Sequence, residues 1–192
     1  MTENDVLKII LQRLGAGAGI PAITSQLAGV LLDISSRADF LTTESVVTTV
    51  AGQGLYDLPV NLKNIYEVVL DGGTLDKLTY RQFLALASSD GLPTAYALRH
   101  QKLALWPTPD AEVEITLDHS MVHPQEFTDI LFGAEFNEAI FEGVLAQLWR
   151  EKNPDKLESE NPHKTAYEAE IEKRIAALDV EIETVLVEYR DI

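Results

Sequence analysis

Val46-Val47-Thr48-Thr49-Val50-Ala51-Gly52-Gln53-Gly54-Leu55-Tyr56-Asp57-Leu58-Pro59 is the stretch at which the chain changes its hydrophobic period. β-Branched residues dominate Val46 to Val50, a glycine-rich turn follows, and a second apolar run ends at a proline, which cannot donate to a strand ladder. This spacing predicts a hairpin of Val46–Val50 against Leu55–Leu58, turned at Gly52-Gln53-Gly54. It also marks where a helical region gives way to a β region.

Upstream the period is helical. Val6, Leu7, Ile9, Ile10 and Leu14 fall on one face of a short helix, with Thr2 or Asn4 available to cap it and Gly15 to stop it. Gly15-Ala16-Gly17-Ala18-Gly19 then reads as a hinge between helices. Pro21 suits the first turn of a second helix, and Leu27, Val30, Leu31, Ile34 and Phe40 continue its apolar face to about Phe40.

Downstream the β character persists. Ile65–Leu70 feeds Asp71-Gly72-Gly73, a hairpin signal, and Thr74–Leu78 is expected to return. Tyr80, Phe83, Leu84 and Leu86 support one short helix, broken by Asp90-Gly91 and Pro93. Three further strands follow, Ala95–Arg99, Lys102–Trp106 and Val113–Asp118, separated by His100-Gln101 and Pro107-Thr108-Pro109-Asp110.

Helix resumes after Pro124. Phe136, Ile140, Val144 and Leu148 recur every four residues, predicting a helix buried on one side that stops at Asn153-Pro154. Asn161 is placed to cap a last helix with Pro162 at its first position, running without Gly or Pro to Tyr189. Its stripe of Tyr167, Ile171, Arg174 or Ile175, Leu178, Ile182, Val185 and Tyr189 has the spacing of a helix that packs on another helix. The predicted fold class is therefore α+β. Residues 1–43 and 124–192 are expected to form a helical bundle with a long C-terminal helix, and residues 44–123 a mostly antiparallel β insertion.

With 192 residues, 46% of them hydrophobic, the chain can bury a sizeable core. It has no cysteine, which excludes disulfides, thiolate metal sites and cysteine nucleophiles and fits folding in the cytoplasm. The N-terminus lacks a basic region, and no apolar run approaches the roughly 20 residues that span a bilayer, so neither secretion nor a membrane is expected. The formal charge of −16 argues against a protein that grips phosphate, because such affinity comes from Lys and Arg displacing counterions. From Gln125 onward seventeen acidic and seven basic residues leave a net of −10, so most of the charge belongs to the C-terminal helices.

Chemistry-bearing motifs are sparse. The Gly15–Gly19 run follows a helix, whereas a dinucleotide-binding turn follows a strand, and no Gly-Lys-Ser or Gly-Lys-Thr occurs. His119 and His123 are four apart, yet Pro124 and the preceding strand disfavour a helix, and strand alternation would place both on one face. A metal site also needs a third ligand; Asp118 and Glu126 are close in sequence, but acidic residues are common everywhere in this chain, and no metal site is expected. No nucleophile elbow surrounds Ser35, Ser36, Ser88 or Ser89, and with 31 acidic residues accidental carboxylate pairs carry no information. Trp106 and Trp149 read as packing anchors. Neither a catalytic site nor a cofactor is expected; an enzyme would instead show perturbed carboxylates gathered in one deep pocket.

Four phrases carry a resemblance: Thr48–Pro59, Ile65–Gly72, Gly91-Leu92-Pro93-Thr94-Ala95-Tyr96, and Leu103–Asp110 with its Trp106-Pro107-Thr108-Pro109-Asp110. Together they resemble the head-to-tail adaptor (connector, head-completion) proteins of tailed phages, and the layout is similar to that of short-tailed phage adaptors. Tyr-Asp-Leu-Pro closes one strand, Gly-Leu-Pro opens another and Trp-Pro-Thr-Pro-Asp leaves a third, so these are fold residues without a reactive group. The resemblance implies a virion neck protein, assembled in the host cytoplasm, that forms a homo-oligomeric ring, commonly of twelve, beneath the portal protein. Such a ring extends the DNA channel without sequence-specific binding and offers a platform to tail or neck proteins; an acidic wall suits passing DNA. The segment from Ile182 is expected to meet the portal through Ile182, Val185, Leu186, Val187 and Tyr189, whose apolar surface exceeds what one helix face buries. The competing reading is that this helix only closes its own bundle. A tail-completion or other neck assembly protein is the alternative function.

Overall fold

Five α-helices and eight strands carry the described chain in a computed structural model. The helices are α1 (Glu3–Leu14), α2 (Ile20–Arg37), α3 (Tyr80–Leu84), α4 (Asn137–Lys152) and α5 (Pro162–Glu188). The strands are β1 (Thr42–Thr48), β2 (Leu55–Asp57), β3 (Leu62–Leu70), β4 (Gly73–Thr74), β5 (Asp76–Leu78), β6 (Ala95–Arg99), β7 (Lys102–Trp106) and β8 (Glu114–Met121). The structure describes residues 2–14 and 20–188; the expected Gly15–Gly19 hinge and Tyr189 lie outside them. The fold is α+β with a long C-terminal helix. It divides into two units, Met1–Leu41 with His123–Ile192, and Thr42–Val122.

In the helical unit the ends are set by side chains. The Thr2 hydroxyl accepts the Asp5 amide at 3.3 Å and donates to the Asp5 carboxylate at 2.8 Å, so the first turn of α1 is closed from both directions. Asn161 does the same for α5: its Oδ1 accepts the His163 and Lys164 amides at 3.1 and 3.3 Å, and its Nδ2 donates to the Ala146 carbonyl on α4 at 2.9 Å. One buried asparagine thus starts the last helix and ties it to its neighbour.

Phe136, Ile140, Val144 and Leu148 are buried as the four-residue repeat requires, but α4 is not buried on one side only. Ala139, Phe141, Gly143, Leu145 and Ala146 are buried as well, because α1, α2 and α5 all pack on this helix. Periodicity reports one apolar stripe, whereas the small residues Ala139, Gly143 and Ala146 let further helices approach. α2 contributes Ile23, Leu27, Val30, Leu31 and Ile34 to the same core.

The β unit holds two four-stranded sheets, in the orders β1-β8-β3-β4 and β2-β7-β6-β5. Tyr56, Ile65, Val68, Leu103, Leu105, Ile115 and Leu117 form their shared core. The hairpin expected between Val46–Val50 and Leu55–Leu58 is absent. β1 pairs with β8, and β2 pairs with β7 in the other sheet, so the glycine-rich segment is an arch that crosses from sheet to sheet. Alternation cannot distinguish the two arrangements, because Val47 and Tyr56 face a common core in either case. The hairpin at Asp71-Gly72 is present, with Leu70 opposite Gly73, although the returning chain splits into β4 and β5, which belong to different sheets. β5 pairs with β6 in parallel, whereas the other strand pairs described are antiparallel.

Candidate assembly surfaces

The phrases Thr48–Pro59 and Leu103–Asp110 meet at the arch. Gly52 sits at φ 78°, a backbone conformation that glycine adopts without penalty, and its amide donates to the Pro109 carbonyl at 2.8 Å. Thr49 Oγ1 donates to the Ala111 carbonyl at 3.0 Å and accepts the Val113 amide at 2.8 Å. The Tyr56 hydroxyl reaches back into the arch, accepting the Val50 amide at 3.1 Å and donating to the Gln53 carbonyl at 2.5 Å. Trp106 Nε1 donates to the Ala87 carbonyl at 2.9 Å, and the Thr108 backbone is bonded to both Ser89 and Gly91. The sequence-distinctive residues therefore satisfy backbone groups in turns, and that is their chemistry.

His119 and His123 do not share a strand face. His119 is buried within β8, whereas His123 lies past its end, at the first position of the helical unit. His123 is enclosed by Phe127 and Phe132, its amide donates to Ser35 Oγ at 2.9 Å, Nδ1 lies 2.9 Å from the Pro124 carbonyl, and Nε2 accepts the Leu131 amide at 3.3 Å. One ring nitrogen must donate and the other accept, which requires the neutral imidazole. Burial depresses its pKa accordingly. Among the described residues no group of three or more His, Asp or Glu side chains is placed to hold a metal ion. Nor is any described helix long and apolar enough to cross a membrane.

A cavity of about 400 Å³ opens between α2, α4 and α5, lined by Asp33, Arg37, Trp149, Glu158, Lys164, Tyr167 and others. Its carboxylates are paired. Arg37 bonds Glu168 with both terminal nitrogens and donates Nε to Asp33 at 2.9 Å, while Glu158 bonds Lys164 and lies 3.4 Å from Arg150. The Tyr167 hydroxyl donates to Asp33 at 2.5 Å, and burial together with that carboxylate pushes its pKa well up. Hydrogen bonding to Glu168 likewise raises the pKa of Arg37. The cluster locks α2 to α5, a fork of charge-assisted bonds between residues 131 apart in sequence. No local pattern announces it, and the sequence reading missed it.

Past this lock, Ile171 is buried, Arg174 lies over the Phe136 ring at 5.9 Å, and Leu178 lines a cleft with Phe40 and Phe136. α5 then continues to Glu188. Ile182, Val185, Leu186 and Val187 lie in these last turns of the helix, and Tyr189 lies outside the described residues.

Capped helices locked by ion pairs and a β unit whose motifs serve its turns define a protein built from packing and backbone satisfaction. A protein-family model described as SU10 adaptor protein matches residues 1–185, and the chain belongs to that family of phage adaptor proteins. A comparison with curated proteins found no match.

Proposed function

We propose that this adaptor is a structural, non-catalytic head-to-tail connector of the virion neck. Its subunits close into a ring, commonly of twelve, beneath the portal, extend the DNA channel and give tail or neck proteins a platform. The observation that supports this most is the length of α5. The helix is 27 residues long, about 40 Å at 1.5 Å per residue, and roughly 15 Å of it follows Leu178. That last stretch carries Ile182, Val185, Leu186 and Val187, and with Tyr189 it is the segment we assign to the portal contact.

An amphipathic helix end gains its burial when a partner groove is present, so docking would follow formation of the portal ring and order the assembly. Neighbouring subunits would meet through heterologous contacts that close by rotation. The acidic C-terminal helices suit a channel whose walls repel the DNA backbone, and the subunits would be made and assembled in the host cytoplasm.

Light scattering on the full chain and on a chain ending before Ile182, each alone and mixed with the portal ring, tests this. The expected result is multiple copies of the full chain on the portal and none of the truncated one. If neither form joins the portal, the connector role fails and a tail-completion role replaces it. If both join equally, the contact lies elsewhere than the end of α5.

A further inference from the structure

The rims of the two sheets are unequal. β4, β2 and β5 are two or three residues long, too short to template a partner strand. β3 extends past β4 but is irregular between Leu62 and Asn64 and between Ile65 and Glu67, and it carries Lys63; irregular pairing and a lysine are both devices that discourage edge pairing. β1 has none of these protections. Its seven residues, Thr-Thr-Glu-Ser-Val-Val-Thr, pair with β8 in unbroken register from Thr42–Ser120 to Thr48–Glu114 and carry neither proline nor lysine.

The ladder shows which groups this rim presents. The Thr49 amide donates to the Val113 carbonyl at 2.9 Å, one step beyond the Thr48–Glu114 pair. Alternation then turns the backbone groups of Ser45 and Val47 toward β8, and those of Thr42, Glu44, Val46 and Thr48 away from it. The side chains of the same four residues are exposed, Val46 by 58%. A strand laid along β1 would find a row of outward donors and acceptors and an apolar contact at Val46.

The charges identify the occupant. Glu44 stands opposite Asp118, and Asp118 opposite Glu67, so three carboxylates lie in one cross-strand row on one face. Like charges in such pairs are unfavourable, and the row ends at the open rim. We propose that β1 accepts one extended strand from a different protein, with Lys or Arg beside Glu44 and a β-branched apolar residue beside Val46. A second copy of this chain fits poorly, since its own long straight rim is β1, and joining the two would bring both carboxylate rows together in chains that each carry −16. This assignment is independent of the portal contact at the end of α5, and a chain ending before Ile182 retains it.

The test uses the full isotope-labelled chain and two peptides of alternating Thr and Val, one with Lys at its centre and one with Glu. The lysine peptide is expected to shift the amide resonances of Thr42, Glu44, Val46 and Thr48 and to bind roughly tenfold more tightly than the glutamate peptide. Glu44→Lys is expected to reverse that preference. Val46→Pro is expected to abolish binding while β7 and β8 amides keep their positions, because proline is tolerated where the amide points away from the ladder. Should that variant fail to fold, the reversal by Glu44→Lys carries the test alone. Equal binding of the two peptides, or no shift along β1 with either, would overturn the proposal. So would a doubling of mass by light scattering that Val46→Pro reverses, which would make the occupant a second copy.

Discussion

Gly143 of α4 and Val30 of α2 come so close that a β-carbon built on the glycine would stand 2.7 Å from Val30 Cγ1. The same β-carbon would lie 3.0 Å from the Tyr167 ring of α5, so the missing side chain is what lets three helices converge. Gly143→Ala gains up to about 1 kcal/mol of helix propensity and loses about 1–3 kcal/mol to overpacking. The expected outcome is a net destabilisation of roughly 1 kcal/mol, read as a lower urea midpoint, and a larger loss for Gly143→Val. An unchanged midpoint for both would show that the helices separate at no cost.

Tyr56→Phe removes the hydroxyl that serves Val50 and Gln53 and leaves the ring in the core. The loss should be about 1–2 kcal/mol, the cost of unpairing partly buried backbone groups. Amide hydrogen exchange should accelerate at Val50 more than in β7 or β8, since the damage is confined to the arch.

His123 makes stability depend on pH. Its pKa is lowered in the folded chain, so the unfolded chain binds the proton more readily. The stabilisation is complete above the ordinary histidine pKa of about 6.5 and is lost as pH falls from there toward the depressed folded value. Urea midpoints should fall between pH 7 and pH 5.5, and His123→Gln should flatten that slope while lowering the midpoint at pH 7. A wild-type midpoint constant across this range would contradict the neutral-imidazole assignment.

The Arg37–Glu168 fork should be measured by a double-mutant cycle. Both side chains are about one third exposed, so solvent screening limits the coupling to roughly 1 kcal/mol. Arg37→Lys should lose most of it, because a single ammonium cannot make two parallel bonds to the carboxylate. A lysine variant as stable as the parent would show that charge alone, without the fork, joins α2 to α5.

Much of the fold was legible because its signals are local. Thr2 and the Asn161-Pro162 pair mark helix starts through bonds to their own first turns, and the strands β6 and β7 follow from runs bounded by turn residues. The length of α5 follows from a stretch without glycine or proline. The adaptor resemblance rested on the same turn-rich phrases, and the family match agrees with it. What the sequence could not determine is which distant surfaces meet. An arch and a hairpin share one alternation, so only pairing with β8 and β7 separated Val46–Val50 from Leu55–Leu58. The burial of α4 on several sides, the parallel β5–β6 pair, the Arg37–Glu168 lock and the neutral His123 likewise depend on neighbours far along the chain. The open rim of β1 arose the same way: its residues were readable as a strand, but being last in its sheet is a property of topology, decided only when every other strand had taken its place.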